Sequence, residues 1–276
     1  MKIELAQVAG RDGDKAYNLK TALAAIEACA EDTQLIVFPE THLSGFPTLD
    51  NVAELAEPID GPMIMSIRQA ARARNVSVAI GFAEVESSAT EAAKYYNTTV
   101  LITPNEIALR YRKTHLWASD QGVLLPGDRF ATCLWNGVRV GLLICYDIEF
   151  PETARALAQL GAELIIVTNG NMDPYGPIHR AALMARAIEN QAFAVMVNRV
   201  GEGDGDLTFA GGSMAVDPFG QVLVEAGRDE AHLNATLDLK LLKTVRHDYR
   251  YLDDRRLVIP GVLVEHEGGR RELLIP

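Results

Sequence analysis

The sequence predicts an α/β fold made of two packed, mixed β-sheets covered by helices. Short β-rich runs alternate with helical stretches, and the strands outnumber the helices. Hairpin-like pairs are the third observation. The runs 97–102 and 107–111 meet through Pro104-Asn105, an antiparallel share that a purely parallel doubly wound sheet lacks.

In chain order, strand 2–8 is followed by helix 15–30, strand 34–38, helix 63–74, strand 76–86 and the 97–111 hairpin. Strand 138–144 comes next, then a helix from about 151 to 160 that Pro151 opens at a first-turn position. Strand 164–167, a helix from about 178 to 190 and strands 192–198, 212–216 and 222–225 complete the pattern. From about Leu237 the chain becomes a charged, aromatic-containing tail, LDLKLLKTVRHDYRYLDDRRLVIPG, with no obvious place in the sandwich. Its Tyr249, Tyr251, Leu252 and Ile259 are too apolar to hang in water, so the tail is expected to lie in the subunit interface of a homodimer. No repeat or linker marks a boundary, and residues 1–276 read as one domain.

Composition narrows the function. Hydrophobic residues make up 48% and charged residues 23%, which excludes disordered and fibrous classes. No apolar run approaches the ~18–20 residues of a membrane span, and the opening MKIELAQVAG has no basic leader followed by a long apolar run. A cytoplasmic protein is expected. With 37 acidic against 26 basic residues, the net charge of −11 repels phosphate backbones and argues against nucleic acid as a partner. Cys29, Cys133 and Cys145 form no CxxC pair, as expected of a reducing compartment without disulfides or a zinc site. There is no HExxH or comparable ligand cluster, so no metal is expected.

Three segments carry chemistry. In VRVGLLICYDIEF an apolar strand runs straight into Cys145, with Pro151 opening a helix just beyond. A strand-to-helix elbow of that kind projects a nucleophile past the sheet edge and brings the Tyr146 N–H near an incoming carbonyl oxygen. A buried structural cysteine reads the same way in isolation. LIVFPE ends a second apolar strand in Glu40, a general base if burial raises its pKa, although a solvated strand-end glutamate is the plainer reading. RYRKTHLW places Lys113 after a third strand, where a solvated basic edge is equally ordinary. Taken together, an acid, an amine and a thiol at three strand ends can converge where α/β sheets hold their ligands.

FPE, YRKTHLW and CYDIEFPE, in this order and setting, resemble the three signatures of the nitrilase (carbon–nitrogen hydrolase) superfamily. The likeness extends to PGD at 126–128, NGN at 169–171 and ARAIENQAF at 185–193. It implies an α-β-β-α sandwich that dimerises, and a Glu-Lys-Cys site needing neither metal nor organic cofactor. Glu40 would be the base, Cys145 the nucleophile, and Lys113 the cation steadying the oxyanion. Relatives usually carry a second glutamate between the lysine and PG motifs; the matching residue here is the shorter Asp120.

Tyr146-Asp147 after the cysteine resembles the amidase and carbamoylase branches rather than nitrilases proper, so a small-molecule amide is the expected substrate. The NGNMDPYGP loop, with Asn171 and Met172, and the YRYLDDRR run look most like amidases acting on amino acid amides or ω-amino amides such as 5-aminopentanamide. Glu149 stands where relatives that bind carboxylated substrates carry arginine, and is expected either to attract an ammonium or to pair with Arg155 or Arg180. N-carbamoyl amine hydrolysis and nitrile hydrolysis are the alternatives within the superfamily. Outside it stand a cysteine–histidine hydrolase using His42, His115 or His179, a dinucleotide site at Gly201–Gly205, and a non-catalytic binding protein. That glycine run opens no helix and is too acidic for a pyrophosphate.

Overall fold

Alternation within the strands decides the layering. In 34–38, Leu35 and Val37 join the core between the sheets, while Ile36 and Phe38 face the helices on the outside. Val78 and Ile80 likewise face outward, and Ala79 faces inward. A strand buried on both sides must be apolar throughout, which is why these segments read as continuous hydrophobic runs.

The computed structural model describes residues 1–276 other than 89 and 204, and side chains other than those and that of 248. One sheet has six strands, ordered Ala231–Thr236, Lys2–Gln7, Leu35–Val37, Ser77–Glu86, Lys94–Ile102, Ile107–Arg112. The other has eight, ordered Val222–Glu225, Met214–Val216, Phe193–Asn198, Leu164–Asn169, Val138–Ile144, Arg129–Trp135, Arg271–Leu274, Val262–Glu265. Each has a parallel centre flanked by antiparallel strands. Helices Lys15–Ala28 and Pro62–Arg74 cover the first sheet, and Pro151–Gln159 and Gly176–Asn190 the second. The fold is the expected α-β-β-α sandwich.

Between the sheets, Thr99 and Thr168 bond hydroxyl to hydroxyl at 2.6 Å, and the Trp135 indole N–H donates to Ser77 Oγ at 2.8 Å. Buried polar pairs of this kind fix the alignment of the layers, because slipping would strand their donors in an apolar medium.

The reading of the tail needs correction. Beyond residue 236 the chain does have a place in the sandwich: Leu237, Leu242 and Val245 are buried, and Leu273 lies in the inter-sheet core. Arg271–Leu274 pairs antiparallel with Arg129–Trp135, and Val262–Glu265 closes that edge. Ile259 packs on this chain's own core, whereas Tyr249 and Tyr251 are exposed. Of the Gly201–Gly205 run, 204 lies outside the described residues; the flanks form a small hairpin, Val200–Glu202 with Thr208–Ala210, and no helix.

Candidate active site

Glu40 and Lys113 come from the six-stranded sheet and Cys145 from the eight-stranded one. Glu40 lies three residues past Leu35–Val37, and its N–H donates to Asn169 O at 3.2 Å, in the opposite sheet. Lys113 directly follows Ile107–Arg112, and Cys145 directly follows Val138–Ile144. Cys145 has φ = 45°, a left-handed conformation costly for a residue with a Cβ and typical of a strained nucleophile elbow.

The Lys113 ammonium donates to Glu40 Oε1 at 2.8 Å and to Asp120 Oδ2 at 2.7 Å, with all three side chains almost fully buried. The shorter Asp120 thus reaches the lysine after all, because the turn it sits in closes over it: Asp120 Oδ2 also accepts from the Trp117 N–H at 3.1 Å. Asn97 Nδ2 donates to Glu40 Oε1 at 2.7 Å, which leaves the buried Oε2 without a hydrogen-bond partner. This oxygen is the one free to exchange a proton.

Burial raises the Glu40 pKa above its ordinary 4.5, since desolvation outweighs the neighbouring ammonium and Asp120 adds like charge. For Lys113 burial works against the charged form, but Glu40 and Asp120 overcome it and hold the amine protonated. The Cys145 thiol is pushed well above 9.0, by burial first and by the Glu40 carboxylate second; Lys113 and the Gly170 N–H act in the opposite sense. Burial thus favours the neutral thiol at Cys145 and raises the basicity of Glu40, while its two carboxylate neighbours hold Lys113 as an ammonium. Their protons move as one coupled system.

These groups open into a cavity of about 390 Å³. Its walls include Phe46 and Phe209, stacked at 5.7 Å, and Trp117 edge-on to Tyr146 at 5.0 Å. Gly170 forms part of the floor: a Cβ there would stand 2.7 Å from Glu40 Oε2 and collide with the Phe46 ring. Every residue expected at the site from sequence borders this cavity: Glu40, Lys113, Cys145, Asp120, Tyr146, Glu149, Asn171 and Met172. Glu149 pairs with neither expected arginine. Its Oε1 is 2.9 Å from His179 Nε2, while Arg180 is taken by Glu225. His179 in turn meets Asn169 Oδ1 at 3.1 Å, and burial lowers its pKa against the pull of Glu149.

Sequence reasoning missed Asn97 and the Phe46–Phe209 wall, noted Gly170 only within the NGN run, and offered His179 as a partner for the cysteine, where the structure pairs it with Glu149. Asn97 heads the run 97–102, where Thr98 and Thr99 are polar as well, so nothing local marked it out, and the others are likewise brought in by tertiary packing. Each rival histidine has other neighbours: His115 meets Asp147 at 3.0 Å, His42 stacks on Phe38 at 5.4 Å, and His179 lies between Glu149 and Asn169. No cluster of three or more metal-ligating side chains occurs among the described residues.

The class follows from comparison: residues 2–247 match the carbon–nitrogen hydrolase family, and the chain belongs to it. It is 64% identical to an (R)-stereoselective amidase from Pseudomonas sp. over 275 residues, covering 100% of this chain and 98% of that protein. Among solved structures it is similar to a carbon–nitrogen hydrolase superfamily protein from Xanthomonas campestris with an arsenic adduct in the active site. The TM-score is 0.84 at 27% identity, covering 94% of this chain and 99% of that one. A glutamate-to-glutamine mutant of the amidase from Nesterenkonia sp. AN1 matches with TM-score 0.77 and 28% identity, covering 93% of this chain and 94% of that one. That structure shows covalent addition of the acetamide moiety of fluoroacetamide at its active-site cysteine.

The electrostatics set a pH dependence. With Glu40 as the base proposed below, its protonated form cannot take the thiol proton, so activity should fall as pH drops through its pKa, which burial holds above 4.5. A profile of kcat/KM from about pH 4 to about pH 9 should show an acid limb centred above the ordinary glutamate value; a midpoint at or below 4.5 would contradict the burial argument.

Proposed function

We propose that this chain hydrolyses a small aliphatic amide to carboxylate and ammonia through a thioester on Cys145. The observation that carries the reading is the buried Glu40–Lys113–Asp120 cluster meeting Cys145 at the floor of one cavity. Glu40 accepts the thiol proton as sulfur attacks the carbonyl carbon. The developing oxyanion is met by the Lys113 ammonium and the Tyr146 N–H. As the tetrahedral intermediate collapses, the C–N bond breaks and Glu40 passes the proton to the departing ammonia. The emptied Oε2 then deprotonates water, which cleaves the thioester and returns the proton to sulfur. Asp120 holds Lys113 against the recoil of charge.

Cys145→Ala should abolish turnover and leave the melting temperature nearly unchanged. Iodoacetamide should label Cys145 in parallel with loss of activity and ahead of Cys133 and Cys29, because Cys145 borders the cavity and is partly accessible whereas the other two are buried. Inactivation that tracks label on Cys133 or Cys29 would remove Cys145 from the mechanism.

We infer further that the preferred amide bears an amine, as 5-aminopentanamide and amino acid amides do. Of the described residues bordering the cavity, Lys113 is the one lysine or arginine, and two carboxylates already occupy it. Asp50 and Glu149 add further acidity at the walls, while Asp12 is paired with Arg199 at 2.6 Å, so an anionic acyl chain finds no lysine or arginine lining the cavity other than Lys113. The similarity to an (R)-stereoselective amidase supports a chiral amide as substrate. Native enzyme should favour 5-aminopentanamide over the isosteric glutaramate. Glu149→Gln should cut that preference roughly fivefold, the ratio that about 1 kcal/mol gives. An unchanged ratio in an active variant would exclude Glu149, and nitrile turnover dominating a panel of amides, nitriles and N-carbamoyl amines would overturn the amidase reading.

We also propose a homodimer whose interface takes in the exposed apolar stretch with Leu257 at 87%, Val258 at 64%, Val262 at 63% and Leu263 at 56% accessibility. Sedimentation at micromolar concentration should give a dimer, and Leu257→Asp with Val262→Asp should shift it towards monomer. A monomeric native protein would refute the assignment.

A further inference from the structure

Asp147 is fully buried two residues beyond the nucleophile and has no place in the proton transfers above. Five donors surround its carboxylate. Oδ1 accepts from the His115 N–H at 3.0 Å, from Thr114 Oγ1 at 2.9 Å and meets His115 Nδ1 at 3.0 Å. Oδ2 accepts from the Tyr111 hydroxyl at 2.8 Å and from the Ile144 N–H at 3.1 Å.

The identity of those donors matters more than their number. Tyr111, Thr114 and His115 bracket Lys113 on both sides, and Ile144 immediately precedes Cys145. Lys113 and Cys145 belong to different sheets, so no backbone ladder fixes the distance between them. The Asp147 carboxylate spans that gap, since it belongs to the Cys145 turn and binds the chain on either side of the lysine. Its bond to Ile144 also closes the turn in which Cys145 holds φ = 45°, a conformation that persists only where the surroundings over-determine it. The His115 ring, stacked on Phe150 at 4.0 Å, prevents that flank from swinging away.

We infer that Asp147 is a positioning residue that sets the separation of the Lys113 ammonium from the Cys145 sulfur and holds the nucleophile's strained backbone. It touches neither reacting atom. Asparagine at this position would be nearly isosteric, yet one of its two polar atoms is an NH₂ group. On the Oδ2 side that group would face the fixed Ile144 N–H, donor against donor; on the Oδ1 side it would face the His115 N–H. Either way one anchor is lost and the two segments can drift. Misplacement of reacting groups by about 1 Å costs on the order of 10²-fold in rate even when substrate binding is kept.

The inference rests on the Glu40–Lys113–Cys145 reading, and the experiment separates the two. Native enzyme and Asp147→Asn are titrated with iodoacetamide, so that kcat is expressed per Cys145 thiol whose alkylation tracks inactivation. If label on Cys145 in native enzyme does not track inactivation, the Glu-Lys-Cys reading fails, whatever the variant does. Given that it does, Asp147→Asn should lower per-site kcat by about 10²-fold with KM within about threefold, and slow Cys145 alkylation. A merely structural residue behaves differently: the fraction of titratable sites drops while the surviving sites keep native kcat, and that result overturns the inference. Should Asp147→Asn fail to fold, Tyr111→Phe removes one donor and keeps the ring packed on Phe130. It should lower per-site kcat by roughly threefold to tenfold, while native per-site kcat in this variant overturns the inference.

Discussion

A lysine ammonium buried in an apolar sandwich must be surrounded by compensating charge, and the rest of the site follows from that requirement. Removing Lys113 from water costs several kcal/mol in effective terms, which is recovered only with close and well-aligned partners. Glu40 and Asp120 supply them from two different segments. The same contacts leave one Glu40 oxygen without a partner, and burial raises its basicity. One arrangement thereby stabilises the cation, tunes the base and leaves a proton acceptor beside the thiol. A buried carboxylate oxygen without a hydrogen-bond partner is costly to the fold.

The layered architecture was legible in the sequence because its signals are local. Continuous apolar runs such as 138–144 and 164–167 announce strands buried on both faces, and the 97–111 hairpin announces mixed sheets. What was not legible depends on distant pairing. Arg271–Leu274 forms its ladder with Arg129–Trp135, some 140 residues away, and neither stretch is apolar enough to stand out by itself. The edge hairpin therefore read as a loose arm. A local cue in the same region went unread: Asn136 and Gly137 both take positive φ in the tight turn joining Arg129–Trp135 to Val138–Ile144.

The site shows the same division. Glu40, Lys113 and Cys145 could be found because each stands at a strand end and the three runs that carry them, FPE, YRKTHLW and CYDIEFPE, occur in the order of one family's signatures, although each residue alone has an ordinary structural reading. Their supports could not. Asn97, Gly170, His179 and Asp147 act through geometry, and each sits in a stretch with an adequate structural explanation of its own. Glu149 shows how a charge can be placed correctly and its partner wrongly: Arg155 and Arg180 were the obvious cations, yet a histidine 30 residues away is the neighbour. Sequence proximity selects for charge, whereas packing selects for reach.

Because Glu40 and Lys113 are carried by one sheet and Cys145 by the other, the distance between them is also a measurement of how the two layers lie on each other. A caliper reads error before the object it measures breaks. Mutations outside the cavity lining that let the layers slip by a fraction of an ångström, at Thr99, Thr168, Ser77 or Trp135, would change that distance while every strand and helix is still in place. In such a molecule, buried positions that touch no substrate are constrained by the spacing of the two sheets as well as by the stability of each.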